Sequence, residues 1–220
     1  MNEYLKLFQS HAEYEAFVSG GTMVKPNVSH CIQENEVHYN KTDDLRLVVK
    51  YYIAEYDVDF AFNIYNPSYE YIGEEEIVIM GSDMFDKIEI DGVNVSIAEL
   101  DAASGQTQFS TEGIHTVKYT LKDPTRIPYN VFYDIQRISE IEIPSSVVEI
   151  DEDAFGNDVF ITGITCNAIV PPRIFNTSIS ITHYPDGGRI IYVPSESLET
   201  YENDENWKLL TLEGNFRPIE

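Results

Sequence analysis

Alternating apolar and polar residues run through residues 26–122, and a period of two predicts β-strands with one buried face. The run "LRLVVKYYIAEY" is rich in β-branched and aromatic residues, and "DVDFAFNIYN" alternates Val58, Phe60, Phe62 and Ile64 with polar or small neighbours. The runs "EEIVIM" and "IHTVKYTL" predict further strands. Between them, "NPSYEYIGEEE" interrupts the alternation and "ELDAASGQTQFSTEG" predicts an irregular connection.

Two hairpins are indicated by turn residues between strand-like runs. The first joins "NVSHCI" and "VHYN" through the polar loop "QENE". That loop length sets three cross-strand pairs: Ile32 with Val37, Cys31 with His38, and His30 with Tyr39. The second, "DKIEIDGVNVSI", has Asp91 and Gly92 at its turn, which is the preferred pair for a type I′ connection.

Helical signals are confined to short stretches near the two ends. In "SHAEYEAFVSGG", Ser10 is a candidate N-cap and Glu13 completes a capping box, so we expect a short helix. Near the C-terminus, "RIIYV" predicts a strand that Pro194 ends. Ser195 then caps one or two helical turns in "ESLETYEN".

The rhythm changes after about residue 122, where apolar residues recur at a step of 23. A repeat of this length with apolar residues at fixed offsets is the signature of leucine-rich repeats, whose turns must stack to bury their apolar edges. The predicted repeat core comprises Ile127, Ile138, Ile141, Ile143, Ile150, Phe155, Ile161, Ile164 and Cys166. We expect Leu198, Tyr201 and Trp207 to cover the last open edge as a cap.

The predicted fold class is mainly β. An antiparallel, β-sandwich-like N-terminal domain precedes a short leucine-rich-repeat-like β unit that ends in a small C-terminal helix cap. The predicted units are an N-terminal helix and hairpin module (1–45), the sandwich-like domain (46–122), and the repeat unit with its cap (123–220). The repeat turns are predicted at 117–135, which is degenerate, at 138–155, and at 161–170, which is partial. So few turns argue against a long concave recognition surface.

Composition and charge narrow the function classes. The 220 residues are 43% hydrophobic and carry a formal net charge of −24, which fits a packed globular protein with an acidic surface. Such a surface repels nucleic acid and anionic membranes. No stretch approaches the length of a membrane span, and the N-terminus lacks the pattern of a signal peptide. We therefore expect a protein that acts where it is made or leaves in an assembly, unless an export signal was removed.

The residues with metal-binding or nucleophilic chemistry cluster at His30, Cys31 and His38. Strand alternation places His30 and Cys31 on opposite faces, and the hairpin leaves only Cys31 and His38 opposite each other. Two ligands are too few for structural or catalytic zinc, and no orienting group accompanies a Cys–His nucleophile. We predict no catalytic residue, metal or cofactor, and two free, buried thiols at Cys31 and Cys166. Tyrosines in "YYIAEY" and "NPSYEYIG" fit either sheet packing or stacking on sugars.

The stretch "IEIPSSVVEIDEDAF" resembles the BspA-like leucine-rich repeats of surface proteins from anaerobic gut bacteria. The positions that carry the resemblance are Ile141, Ile143, Pro144, Val147, Ile150, Ala154 and Phe155. The segments "ITCNAIVPP" and "IIYVPSESLETYENDENWK" resemble the usual end of such arrays. The segment "EYEAFVSG…KPNVSHCIQENEVHYN" resembles an N-terminal module of the same proteins and of structural proteins from phages that infect those bacteria.

The resemblance implies a non-catalytic structural or adhesion protein with protein partners in an assembly, including homo-oligomers. The acidic charge and the lack of a membrane-length apolar stretch predict no nucleic-acid binding and no membrane insertion. Without an export signal, we expect a phage virion component made in the host cytoplasm, such as a head- or tail-associated decoration or fibre protein. The alternatives are a leucine-rich-repeat adhesion protein of the bacterial cell surface and, from another class, a carbohydrate-active enzyme or glycan-binding module.

Overall fold

The computed structural model describes residues 6–8, 29–32, 37–40, 45–72, 75–180, 188–212 and 214–219. The helix predicted at 10–21 and the turn "QENE" lie outside this part of the chain. Within it, the mainly-β fold class with a small C-terminal helix is confirmed.

One eight-stranded mixed sheet organises the fold. In spatial order its strands, numbered along the chain, are β18 (Phe216–Pro218), β17 (Ile190–Val193), β15 (Gly163–Cys166), β13 (Ile138–Ile143), β4 (Leu47–Ile53), β11 (Gly113–Leu121), β8 (Phe85–Ile90) and β9 (Val93–Val95). Strands β13, β15, β17 and β18 are parallel to one another, whereas β4, β11, β8 and β9 pair antiparallel. The antiparallel pairing of β4 with β13 joins the two sets.

Smaller sheets and short helices complete the described structure. The remaining strands are β1 (Lys6–Phe8), β2 (Ser29–Ile32) and β3 (Val37–Asn40) in one sheet; β5 (Ala61–Asn63) with β10 (Gln106–Gln108); β6 (Ser68–Ile72) with β7 (Glu75–Ile79); and β12 (Arg126–Ile127), β14 (Glu149–Ile150) and β16 (Arg173–Ile174). The α-helices are α1 (Gly81–Met84), α2 (Ile97–Ala102) and α3 (Leu198–Asn203), and 3₁₀ turns span Glu55–Asp57, Ser195–Ser197 and Trp207–Leu210.

Both predicted hairpins have the expected pairing. Strands β2 and β3 are antiparallel, with Cys31 opposite His38 and Ile32 opposite Val37. In the β8–β9 hairpin, Asp91 has φ 50° and Gly92 has φ 82°, as a type I′ turn requires at both central positions.

Three local predictions differ from the structure. The alternating run at 57–66 forms only the three-residue strand β5, and Phe60 is 64% exposed. The segment that interrupts it forms β6, which pairs with β7. The connection predicted as irregular contains α2, because Ser96 accepts a hydrogen bond from the Glu99 amide in an N-cap.

The first repeat turn, predicted at 117–135, is only half present. Its strand β11 does not lie beside β13, since β4 occupies that position and runs antiparallel. The rest of the turn does stack, because β12 pairs in parallel with β14 through Ile127 and Ile150. A strand from earlier in the chain therefore completes the sheet where the degenerate repeat cannot.

The later turns follow the predicted register and extend further. Ile141 pairs with Ile164 across β13 and β15. The third turn continues past 170 through β16, where Ile174 pairs with Ile150, and to Ile179, which bridges to Phe155. Strand β17 then adds a third parallel strand to the sheet, and β18 adds a fourth.

Left-handed backbone positions repeat at the same step of 23. Asn130 and Asp153 have φ 60° and 56°, and Asp134 and Asn157 have φ 56° and 61°. Asn and Asp tolerate this conformation better than other non-glycine residues because their short side chains can hydrogen-bond locally. The paired Asn and Asp residues are therefore part of the repeat.

A run of aromatic contacts connects the antiparallel strands to the repeat. Ring centroids lie 5.5 Å apart for Tyr65 and Phe85, 5.0 Å for Phe85 and Tyr119, and 5.2 Å for Tyr119 and Phe132. Phe132 then stacks on Phe155 at 4.9 Å with an interplanar angle of 11°. Residues on both sides of the predicted 122/123 boundary thus share one core.

Candidate functional site

The structure places the sequence-predicted repeat residues together in the core. Each is 0–2% exposed: Ile127, Ile138, Ile141, Ile143, Ile150, Phe155, Ile161, Ile164 and Cys166. In the predicted cap, Tyr201 and Trp207 are fully buried, and Leu198 is partly buried against the core.

The cap holds the Cys166 thiol in an unreactive environment. Burial raises the pKa of Cys166 to about 11, although a hydrogen bond from the Tyr201 hydroxyl at 3.2 Å opposes the shift. Tyr201 also contacts the Ala168 carbonyl at 2.7 Å, and its ring packs edge-on against Trp207 at 5.0 Å. Because the thiolate is the reactive form, this geometry indicates a core role for Cys166.

A buried arginine, which sequence reasoning missed, closes the last turn of the stack. Arg189 is fully buried. Its Nε donates to the Ile161 carbonyl at 3.0 Å, and its Nη1 donates to the carbonyls of Ser180 and Leu210, each at 3.1 Å. Three backbone carbonyls are thereby satisfied by one cation. The isoleucine periodicity offers no signal for this residue.

One histidine–carboxylate pair has the composition of a catalytic dyad. His115 Nδ1 lies 2.7 Å from Asp91 Oδ2, and Nε2 lies 2.9 Å from the Thr111 carbonyl oxygen. The ring stacks near Phe109 with centroids 4.5 Å apart. Because both nitrogens already face acceptors, neither is directed at a space for substrate. The pair fastens the β8–β9 turn to β11 and to the loop before it.

Asp158 is a buried carboxyl of a different kind. It is 1% exposed, and burial raises its pKa to about 9, with the nearby Asp134 adding to the shift and Arg189 opposing it. A carboxyl in this environment is held in its neutral form. It lies inside the stack and does not line an open cleft.

In the first hairpin, Cys31 and His38 are the facing residues whose side chains have metal-binding chemistry. Their backbone pairing is as predicted, and their side chains lie outside the description. Within the described side chains, no three His, Cys, Asp or Glu residues come together in a group that could hold a metal ion.

The open face of the eight-stranded sheet is the candidate functional surface. On one face, strand residues such as Val49, Tyr119 and Ile143 are buried. On the other face, Tyr52 is 55% exposed and Tyr192 is 39% exposed. Eight strands give this face a width of about 33 Å, calculated from the usual spacing between neighbouring strands.

The strand register places specific side chains in rows across the open face. One row runs through cross-strand neighbours from β18 to β9: Arg217, Tyr192, Thr165, Glu142, Val48, Lys118, Glu89 and Asn94. In the next row Lys50 Nζ binds Glu140 Oε2 at 2.5 Å. A cleft of about 430 Å³ lies along these rows, between Val48 and Tyr192.

The charge of the open face differs from that of the chain. Strand positions on this face carry four cationic residues, namely Lys50, Lys87, Lys118 and Arg217, and three anionic residues, namely Glu89, Glu140 and Glu142. A fifth cationic residue, Arg46, directly precedes β4 and forms an ion pair with Glu89 on the same face. The whole chain has 14 Lys and Arg against 38 Asp and Glu. Subtraction leaves 9 cationic and 35 anionic residues elsewhere, so the open face is locally cationic on an acidic protein.

Among the described residues, no helix is both long and apolar enough to cross a bilayer. Comparison with known proteins finds no matching family model and no curated protein with significant sequence similarity.

Proposed function

We propose that this protein is a non-catalytic structural or adhesion protein that acts by binding protein partners in an assembly. Within that class we propose a phage virion component, such as a head- or tail-associated decoration or fibre protein. The resemblance of the N-terminal segment to a module of phage structural proteins supports the virion role.

The open sheet face is the observation that carries the proposal. It is broad, its exposed aromatic and aliphatic side chains lie beside a mixed row of charges, and backbone pairing holds it rigid. Rigid sheet surfaces of stacked repeats are commonly used to bind macromolecules. The cationic excess on this face favours an acidic partner, and the rest of the same chain is strongly acidic. A second copy is therefore one partner that matches in charge.

Two alternatives have support of their own. The repeat pattern around Ile143 favours a bacterial cell-surface adhesion protein that would use the same open face. The aromatic side chains of Phe62, Tyr69 and Tyr133, which line a second cleft, favour a glycan-binding module.

The proposal is tested in particles of the phage whose genome encodes the chain. Mass spectrometry of gradient-purified particles is expected to find the full chain at a fixed ratio to the capsid protein. When the Ile190→Ser/Tyr192→Ala variant of the open face is supplied in trans, we expect at least tenfold lower incorporation. The matched control is Phe160→Ser, which changes a residue of similar exposure in the loop between β14 and β15.

Other outcomes would separate the alternatives. Antibody labelling of intact, uninfected cells without any chain in particles would support the cell-surface role and reject the virion role. Equal incorporation of the open-face variant and the Phe160 control would keep the protein in the virion but reject the open face as its docking surface.

A further inference from the structure

A second cleft, distinct from the open sheet face, lies where the antiparallel part of the chain meets the repeat. Its volume is about 660 Å³. Residues 61–69 line one side and residues 130–137 line the other. Its size falls within the usual range of ligand sites, which is about 300–1,000 Å³.

Hydrogen bonds between the two segments fix the base of the cleft. The Asn66 amide nitrogen donates to the Val131 carbonyl at 2.7 Å, and Asn66 Nδ2 donates to the Tyr133 carbonyl at 2.7 Å. Asn63 Nδ2 in turn donates to Asn66 Oδ1 at 2.8 Å. Ser68 Oγ donates to the Tyr129 carbonyl at 2.6 Å. A ligand would therefore meet a site that is already ordered.

Aromatic rings form part of an otherwise mostly polar lining. Phe62, Tyr69 and Tyr133 all border the cleft, and the two tyrosines are 36% and 40% exposed. Half-exposed rings of this kind offer a flat apolar face to a ligand while their hydroxyls stay in water. The non-polar C–H face of a sugar ring is a suitable partner for such a ring.

Planar polar groups lie beside the rings. Asn63, Gln136 and Asp134 border the cleft. The two side-chain amides can donate and accept hydrogen bonds, and the carboxylate can accept them. Gln136 Nε2 donates to Asp134 Oδ1 at 3.1 Å, and Asn157 Nδ2 donates to the same oxygen at 2.8 Å. These contacts leave Asp134 Oδ2 and the Gln136 Oε1 atom as acceptors for ligand hydroxyls.

The charge of the cleft favours a neutral ligand. Arg137 is the one cation among the described residues that line it. It is bound by both oxygens of Asp57 at 2.8 and 2.9 Å, and its guanidinium lies 5.6 Å from the Phe62 ring centroid. Asp134 adds a negative charge in a chain of net charge −24. An anionic ligand would be repelled, whereas a neutral one rich in hydroxyls fits both the rings and the polar groups.

We propose that this cleft binds a neutral oligosaccharide, with sugar rings stacked on Tyr69 and Tyr133 and hydroxyls bound by Asn63, Asp134 and Gln136. The proposal rests on the glycan-binding alternative and is independent of the virion role. If the chain is found in particles but binds no glycan, the assembly role is supported and the glycan site is rejected. If the chain binds a glycan but is absent from particles, the glycan site is supported and the virion role is rejected.

The test begins with the full chain on an array of neutral oligosaccharides, including gluco-, manno-, galacto- and xylo-oligosaccharides. The affinity of the best of these is then measured by isothermal titration calorimetry. We expect Tyr133→Ala and Tyr69→Ala each to weaken binding about tenfold or more, because each removes a stacking surface. Tyr133→Phe is expected to stay within about threefold, since the ring is kept. Thermal unfolding of each variant checks that the fold is intact.

The matched control is Tyr192→Ala, whose ring is exposed to a similar extent, 39%, but lies on the open sheet face. It is expected to bind the sugar as the unaltered chain does. The proposal is overturned if no neutral oligosaccharide binds at millimolar concentration. It is equally overturned if folded Tyr69→Ala and Tyr133→Ala variants bind unchanged, or if Tyr192→Ala alone abolishes binding. Binding of a peptide library at this cleft in place of sugars would also contradict it.

Discussion

The two faces of the eight-stranded sheet use alternate residues of the same strands in opposite ways. On the covered face, Val49, Ile141 and Ile164 are paired across β4, β13 and β15 and are at most 2% exposed. On the open face, several of the residues beside them are polar or charged, as in the pair between Lys50 and Glu140, although Val48 on this face is apolar. The covered face fixes the fold through burial, and the open face can change its chemistry without changing the fold.

This difference is clearest for neighbours in one strand. Substitution of a covered residue should destabilise the protein, whereas substitution of the next residue should mainly alter what the surface binds. Three of the substitutions below are paired with a neighbouring residue on the open face, and Asp158→Asn concerns a group inside the stack.

The largest effect is expected for Ile143→Asp. Ile143 is fully buried in β13 opposite Cys166, so the variant buries a charge without a partner. We expect a loss of about 4 kcal/mol or more in the free energy of unfolding, measured by urea denaturation. Glu142→Ala changes the adjacent open-face residue and should stay within about 0.5 kcal/mol. An unchanged unfolding midpoint for Ile143→Asp would refute the repeat register.

The next largest effect is expected for Ile191→Ala in β17, where Ile191 is fully buried beside Ile164. Removal of three buried carbon atoms should cost about 3 kcal/mol. Ile190→Ala is the control, because Ile190 lies on the open face and is 37% exposed, and it should cost less than about 1 kcal/mol. Equal losses in the two variants would show that β17 does not present opposite faces to core and solvent.

A smaller effect of opposite sign is expected for Asp158→Asn. The pKa of Asp158 is about 9 in the folded protein, whereas its ordinary value is 3.8. Between about pH 4 and pH 9 the folded protein therefore keeps a proton that the unfolded chain has already released. The stability of the unaltered protein should therefore fall as pH rises from about 4 to 9. At pH 8 the variant should be more stable than the unaltered protein, and the difference should shrink towards pH 4.

The thermal midpoints of both proteins across this pH range provide the measurement. A variant that is less stable at every pH would mean that the carboxylate of Asp158 is stabilised in the fold. The conclusion that the fold holds the Asp158 carboxyl in its neutral form would then be wrong.

The smallest effect is expected for Tyr119→Phe on the covered side. The Tyr119 hydroxyl donates to the Ile64 carbonyl at 2.6 Å and lies 2.9 Å from the Tyr51 hydroxyl. Loss of one hydroxyl from this buried group should cost about 1 kcal/mol in urea denaturation. Thr120→Ala, at the next residue on the open face, should have no measurable effect. Reversal of this order would contradict the assignment of the two faces in β11.

Much of the covered face could be predicted from the sequence because burial leaves periodic signals. The step of 23 that relates Ile141 to Ile164 indicates stacking, and alternation in 47–53 and 113–121 indicates strands. Asn130 and Asp153 are also separated by 23 positions in the sequence. Only the structure shows that both residues have a left-handed backbone conformation.

The open face and the second cleft could not be predicted in the same way. Alternation tells which residues of one strand share a face, but the order of strands depends on pairing between distant segments. The insertion of β4 beside β13 joins residues about 90 positions apart and leaves no local signal, as the contact of Lys50 with Glu140 shows. The helix α2 was missed for a different reason, since its N-cap, Ser96 followed three residues later by Glu99, was visible in the sequence.

We propose that the open sheet face binds a partner in the assembled particle. Covalent labelling of lysines, quantified by mass spectrometry in the free protein and in the particle, tests it directly. The side chains of Lys50 and Lys87 are 40% and 46% exposed on this face, and Lys208 is exposed on the C-terminal cap. We predict that assembly lowers the labelling of Lys50 and Lys87 at least fivefold and leaves Lys208 unchanged. Equal labelling of Lys50 and Lys87 in the free protein and in the particle would contradict the claim.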